Sequence, residues 1–117
     1  MSHSLLNLDN LRSISRNNES FVREVLHVFQ SSTPEDLNQL ADHIHAGRGE
    51  QVRYLAHKLK SSCFTIGFEQ GYELYKALET AAEKQDRSHW QTLFENVQKV
   101  HTQVLSEIHV LLSQPEV

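Results

Sequence analysis

Residues that build loops or cross-links are scarce in this chain of 117 residues. It has four glycines, two prolines and one cysteine. Few glycines and prolines favour a helical protein, and a single cysteine excludes an internal disulfide framework and fits a reducing compartment. No run approaches the roughly 20 apolar residues of a membrane-spanning helix, and the start, Met1 to Ser4, lacks the features of a signal peptide. We therefore expect a cytoplasmic protein with no membrane insertion.

A basic block is also missing. The formal net charge is -4 at pH 7, whereas nucleic-acid binding proteins need clustered lysines and arginines to contact phosphates. We therefore expect no nucleic-acid partner. Hydrophobic residues make up 38% and charged residues 22% of the sequence, which is typical of a globular protein. The length fits a single domain, residues 1–117, that buries its own core and is adequate as a monomer.

Apolar residues recur at helical spacing in one short segment and in four longer ones. The short helix is expected from Leu8 to about Ser15. Gly47 and Gly67 are expected to end two of the longer helices, because glycine adopts the left-handed conformation without a Cβ penalty. The first three of the longer helices are expected to end near Ala46, Ile66 and Gln85, and the last carries apolar residues as far as Leu111. The pattern predicts an all-α protein, an antiparallel four-helix bundle over about residues 18–113 with a short additional N-terminal helix.

Pro34 interrupts the first of the longer segments. Two arrangements fit its missing N–H group. Pro34 either lies in the first turn of a separate helix, with Thr33 as the cap, or lies inside one long helix and kinks it.

His57 lies outside the apolar stripe of its predicted helix. On a helical wheel, four residues share a face with it, because positions three, four and seven apart are neighbours. They are Arg53, Lys60, Ser61 and Phe64. Composition and spacing indicate only an imidazole beside cations and a small hydroxyl residue, and an ordinary exposed histidine fits the same pattern. The stripe itself consists of Val52, Leu55, Ala56, Leu59, Cys63 and Ile66.

The chain has eight histidines, which raises the question of a metal site. A di-iron bundle needs Glu-x-x-His on two helices and a Glu on each of two others. Only Glu24 and His27 match, so we expect no metal. His101 and His109 lie near the polar border of the last helix, where a surface position is expected.

The run Ala-His-Lys-Leu-Lys-Ser-Ser over residues 56–62, followed by Gly67 and by Leu78-Glu79, resembles the histidine phosphotransfer (HPt) domains of multistep phosphorelays. Their motif is approximately A-H-x-L-K-G-S-S-x-x-x-G. The motif itself is short, but the lengths of the flanking helices also fit the four-helix bundle of that family. The resemblance therefore covers nearly the whole chain.

The resemblance implies roles for individual residues. It makes His57 the phosphorylated histidine, Lys60 the cation beside the phosphoryl oxygens and Gly67 the turn into the next helix. Glu79 takes the position of a Gln or Glu that can hydrogen-bond or orient the imidazole. Ser62 matches the usual serine.

Two further residues of this face have open roles. Ser61 replaces the glycine that is usual in the family, where it either changes the docking of a receiver domain or hydrogen-bonds the phosphoryl group. Phe64 either supplies apolar docking area or packs partly against a neighbouring helix. Together with Arg53, Ser62 and Gly67, these residues form the predicted surface for phosphoryl binding and receiver docking.

The resemblance implies a phosphocarrier and not an enzyme with its own kinase activity. His57 would accept a phosphoryl group from a receiver-domain aspartate and pass it to another. The expected partners are response-regulator receiver domains and a hybrid histidine kinase. No cofactor is expected on this chain, because Mg²⁺ would belong to the receiver. The alternative is a non-phosphorylated four-helix adaptor that binds receiver or kinase domains.

Overall fold

Within residues 4–115, which the computed structural model describes, five α-helices are joined by short turns. The result is the predicted antiparallel four-helix bundle with a short additional N-terminal helix. The predicted limits of the domain and the interpretation of the N-terminal sequence include residues 1–3 and 116–117, which lie outside the described part. The helices are α1 Asp9–Ile14, α2 Glu19–Ala46, α3 Gly49–Ile66, α4 Glu69–Glu83 and α5 Trp90–Ser113.

Local sequence explains where the helices end. The side chain of Asn18 accepts a hydrogen bond from the backbone N–H of Phe21 at 3.2 Å and so caps the start of α2. Gly47 and Gly67 follow α2 and α3 with φ of 72° and 70°, the left-handed conformation that closes a helix. No helix in residues 4–115 is long and apolar enough to cross a lipid bilayer.

Pro34 lies inside α2, which is one helix of 28 residues. Of the two arrangements left open by the sequence, the structure shows the continuous helix. Proline cannot donate a backbone hydrogen bond to the carbonyl four residues earlier. In the turn before it, the hydroxyls of Ser31, Ser32 and Thr33 each donate to the carbonyl four residues earlier at 2.8 Å. Such bonds compete with regular helical bonding and often bend helices.

An N-terminal strap, residues 4–8, crosses one end of the bundle. The Glu107 carboxylate on α5 accepts hydrogen bonds from the backbone N–H groups of Leu5 at 2.7 Å and Leu6 at 3.2 Å. Further along, the N–H of Asn7 donates to the carbonyl of Gly67 at 3.0 Å. Leu6 and Leu8 of the strap are buried in the core. The strap therefore ties α5 to the corner between α3 and α4.

His101 on α5 is completely buried, so the expected surface position is wrong. Its Nε2 lies 2.8 Å from the Thr33 hydroxyl, and its Nδ1 lies 2.9 Å from the Tyr75 hydroxyl. Thr33 donates its own proton to the carbonyl of Phe29 and therefore accepts from Nε2–H. Nδ1 then accepts from Tyr75, which makes His101 a neutral imidazole. Two interhelical hydrogen bonds satisfy both of its nitrogens.

This burial predicts a pH dependence of stability. Desolvation lowers the pKa of His101 to about 4, from 6.5. As the pH falls, the imidazole of His101 is therefore protonated in the unfolded chain before it is protonated in the folded protein. The free energy of unfolding then falls by about 3 kcal/mol between a pH of about 6.5 and one of about 4. Urea unfolding at a series of pH values measures the loss. The His101→Gln variant has no titrating group at this position and should lose less stability over the same interval; an identical slope would contradict the prediction.

Candidate functional site

His57 lies on the outer side of α3. All six residues of the predicted apolar stripe are buried on the opposite side of this helix. The side chain of His57 is 58% exposed. An imidazole in this position can be reached by a second protein without any rearrangement of the bundle.

Glu79 on α4 joins His57 to Lys60. One carboxylate oxygen of Glu79, Oε2, lies 2.8 Å from His57 Nδ1, and the other, Oε1, lies 2.7 Å from Lys60 Nζ. His57 and Lys60 are neighbours on α3 because they are three positions apart. Glu79 reaches them from α4, which packs antiparallel to α3. The structure thus brings together the three residues that the resemblance assigns to the phosphoryl-transfer site.

The charges of this cluster support one another. Burial disfavours ionisation of Glu79, but hydrogen bonds from Lys60 and His57, together with the charge of Lys60, outweigh it and lower the pKa of the carboxyl group. The hydrogen bond to Glu79 raises the pKa of Lys60 above its usual value despite some desolvation. Glu79 is therefore a carboxylate and Lys60 an ammonium at neutral pH.

The ionised Glu79 determines which nitrogen of His57 carries the proton. A carboxylate only accepts hydrogen bonds, so Nδ1 must donate to it. In a neutral ring the lone pair is then on Nε2. Nε2 forms no hydrogen bond with any residue in 4–115. The arrangement presents a nucleophilic nitrogen with a fixed tautomer on the surface of the protein.

The remaining residues of the predicted docking face have different surroundings. Arg53 and Ser61 are exposed on α3, one turn before and one turn after His57. Ser62 donates its hydroxyl proton to the backbone carbonyl of Lys58 at 3.2 Å and is half-buried. Phe64 is 64% exposed and also contacts Tyr72, with the ring centroids 6.0 Å apart. Phe64 therefore packs partly against α4 and leaves apolar surface exposed; its role in docking stays a prediction.

Gly67 is not part of the His57 cluster. It follows His57 by ten positions, which is about 15 Å along a helix. Its carbonyl accepts a hydrogen bond from the backbone N–H of Asn7 in the strap. A Cβ at Gly67 would lie 1.8 Å from the Asn7 carbonyl oxygen. Close approach of the strap, in addition to the left-handed φ, therefore requires a glycine at this point.

Two features near His57 were not predicted from the sequence. Tyr54, one turn before His57 on α3, is 64% exposed. A signal for it was present, because Tyr54 is an aromatic residue outside the apolar stripe and three positions from His57. Lys58 forms an ion pair with the buried Asp36 of α2 at 3.2 Å. That contact depends on how α2 packs beside α3, which the sequence pattern does not specify.

The histidines and acidic residues do not form a metal-binding cluster in the described part of the chain. Among residues 4–115, no cluster of three or more His, Cys, Asp or Glu side chains is arranged to hold a metal ion. Cys63 is buried in the core, and desolvation raises the pKa of its thiol well above the usual value. The thiol is therefore protonated, a form that does not ligate metals.

Comparison with known protein families identifies the class. The model of the Hpt domain family matches residues 24–112, which include α3, α4 and the His57 cluster. The chain belongs to the Hpt domain family. Members are phosphocarriers rather than kinases, and they interact with response-regulator receiver domains and kinases. The chain therefore has a histidine phosphotransfer role in a phosphorelay.

A solved structure shows the same fold. The crystal structure of histidine-containing phosphotransfer protein B (HptB) from Pseudomonas aeruginosa PAO1 matches with a TM-score of 0.89. The match covers 98% of this chain and 100% of that chain, at 21% sequence identity. At this identity the likeness shows a shared fold. A search of curated proteins found no match.

Proposed function

We propose that His57 accepts a phosphoryl group from the phosphorylated aspartate of one receiver domain and passes it to the aspartate of another. The observation that carries this proposal is the contact of His57 Nδ1 with Glu79 at 2.8 Å. In the neutral ring this contact places the lone pair on Nε2, on a side chain that is 58% exposed. The predicted single domain, residues 1–117, acts here as a monomeric carrier.

The transfer forms one bond and breaks another. The Nε2 lone pair attacks the phosphorus, the bond from phosphorus to the aspartate oxygen breaks, and its electron pair returns to the carboxylate. A phosphoramidate forms on Nε2 while Nδ1 keeps its proton. The ring thereby gains positive charge beside the Glu79 carboxylate, which stabilises it. Passing the phosphoryl group to a second aspartate reverses these steps.

Positive charge on this chain and on its partner stabilises the transferred group. Lys60 is one turn from His57 and supplies an ammonium near the phosphoryl oxygens. Phosphoryl transfer depends on positioning and charge stabilisation more than on covalent assistance. We assign the aspartate and Mg²⁺ to the receiver, and the rigidly held imidazole to this chain.

Labelling tests this proposal. The full chain is incubated with a receiver domain that carries a radioactive aspartyl phosphate, and the receiver is then removed. We expect an acid-labile, base-stable label on this chain, with the phosphoryl group on Nε2 in the NMR spectrum. Binding of the receiver without transfer of the label would instead support the adaptor alternative, and a label on Nδ1 would contradict the assigned tautomer.

Glu79 variants test how the ring is oriented. Glu79→Ala removes the acceptor of Nδ1–H, so the imidazole populates both tautomers and rotates. We expect the initial rate of phosphoryl uptake to fall by about 10- to 100-fold, as is typical when the partner that orients a functional histidine is removed. Glu79→Gln keeps one oxygen, for which His57 and Lys60 then compete, and should have an intermediate rate. Imidazole ¹⁵N chemical shifts of His57 report the tautomer directly. Unchanged shifts and rates in Glu79→Ala would contradict an orienting role.

A further inference from the structure

A groove lies between the end of α3 and the start of α4, beside the N-terminal strap. Its volume is about 500 Å³. Phe64 and Tyr72 line it as a tilted aromatic pair, with ring centroids 6.0 Å apart. Phe64 leaves 64% of its surface exposed. An apolar, partly open groove of this size can accept a side chain from another molecule.

The rim of this groove is acidic. Asp9, Glu69 and Glu73 line it and are exposed. None of the three carboxylates forms an ion pair within residues 4–115. Among residues 4–115, no lysine, arginine or histidine lines the groove. Flat aromatic rings and unpaired carboxylates together match a guanidinium group, which stacks on aromatic faces and forms bidentate hydrogen bonds with carboxylates.

The groove is within reach of a partner bound at His57. Phe64 follows His57 by seven positions, or about 10 Å along α3. A typical interface of about 800 Å² per partner extends about 16 Å from its centre. Around His57 the same helix carries the cations Arg53, Lys58 and Lys60, and the two lysines are ion-paired with carboxylates. One protein that docks here therefore meets the guanidinium of Arg53 at one end and the acidic rim at the other, and such a pattern determines its orientation.

We infer that the groove binds an arginine side chain of the receiver domain whose aspartate faces His57, and so sets the orientation of the docked receiver. This inference rests on the proposed function. The groove would be a second contact point for the receiver, distinct from the phosphoryl-transfer cluster, at which aromatic rings and carboxylates bind a guanidinium group. Receivers that have an arginine at the matching distance from their phosphorylated aspartate would be preferred over those that do not.

A peptide probe tests the groove without phosphoryl transfer. The capped peptide acetyl-Gly-Arg-Gly-amide and its citrulline analogue have nearly the same shape, but only the first is charged. Both are titrated into the full chain and followed by amide NMR. We expect the arginine peptide to shift signals from α1, the end of α3 and the start of α4, with about tenfold tighter binding than citrulline at low salt. Equal binding of the two peptides, or shifts located elsewhere, would overturn the inference.

Matched variants isolate the charge of the rim. Glu69→Gln/Glu73→Gln should remove the preference for arginine, whereas Glu24→Gln/Glu35→Gln changes the net charge equally at two exposed positions of α2 outside the groove and should keep it. Melting curves confirm that both variants fold. Retention of the preference in the rim variant would contradict the assigned carboxylates.

Kinetics then connect the groove to the receiver. With a receiver that labels His57, the rim variant should raise KM about fivefold at low salt and leave kcat unchanged, because the carboxylates act in docking and not on the phosphoryl group. High salt should abolish this difference. An unchanged KM at low salt would refute the orienting role.

Absence of label on the unmodified chain would refute the proposed function, and this result is distinguishable from equal binding of the two peptides.

Discussion

Replacement of His57 by glutamine is expected to reduce the phosphoryl label on this chain to background. Glutamine has no nucleophilic nitrogen, and no other group of the cluster can replace it. Lys60 is held as an ammonium by Glu79, and Glu79 stays paired with Lys60 through Oε1 when His57 is replaced. The side chain of His57 is 58% exposed, so its substitution should leave the bundle intact. The measurement is transfer of radioactive phosphate from a phosphorylated receiver, with the melting temperature as the check on folding.

Other histidines provide the control for this experiment. His27 is exposed on α2, a different helix from the one that carries His57. His27→Gln should therefore retain full labelling. A label that persists on His57→Gln, or one that disappears in His27→Gln, would place the phosphoryl group elsewhere. Because the chain has eight histidines, this pair of variants is needed to assign the label to one residue.

Gly67→Ala is expected to destabilise the protein by about 4–8 kcal/mol. The φ of 70° alone costs an alanine about 1–2 kcal/mol. In addition, the new Cβ would lie 1.8 Å from the Asn7 carbonyl oxygen, so the strap must move away. Displacement of Leu6 and Leu8 exposes two buried leucines, each of which contributes about 1.5–3 kcal/mol when fully buried. Urea unfolding of the variant measures the free energy.

Gly47→Ala provides the matched control. Its φ is 72°, nearly equal to that of Gly67, but a Cβ at Gly47 would approach only the guanidinium of Arg87, the end of a flexible side chain that can move. We therefore expect a loss of about 1–2 kcal/mol, from the backbone conformation alone. Equal losses in the two variants would show that the strap contributes little to the cost at Gly67.

The periodicity of the sequence was sufficient for the fold and for the face that carries His57. The α3 stripe follows from helical spacing, and the resemblance around residues 56–62 assigned His57 and Lys60 to one site. Those inferences involve residues within one helix, whose relative positions are fixed by 3.6 residues per turn. The break at Pro34 was ambiguous because proline is compatible with both a helix start and a helix interior.

Features that depend on contacts between helices could not be predicted in the same way. His101 lies near the polar border of α5 on a helical wheel, yet Thr33 and Tyr75 from two other helices bury it and bind both of its nitrogens. The carboxylate of Glu79 reaches His57 and Lys60 only because α3 and α4 pack in one register. Sequence separation alone gave no signal that Asn7 would approach Gly67.

The position of Glu79 on a different helix from His57 and Lys60 has a mechanical consequence. A slide of α4 along α3 by one residue, about 1.5 Å, would lengthen the contacts of 2.7 and 2.8 Å towards the upper limit of hydrogen-bonding distance. The carboxylate therefore pins the two helices against axial sliding as well as aligning the ring. Any change that shifts this helix pair would alter the reactivity of His57 without touching a residue of the site.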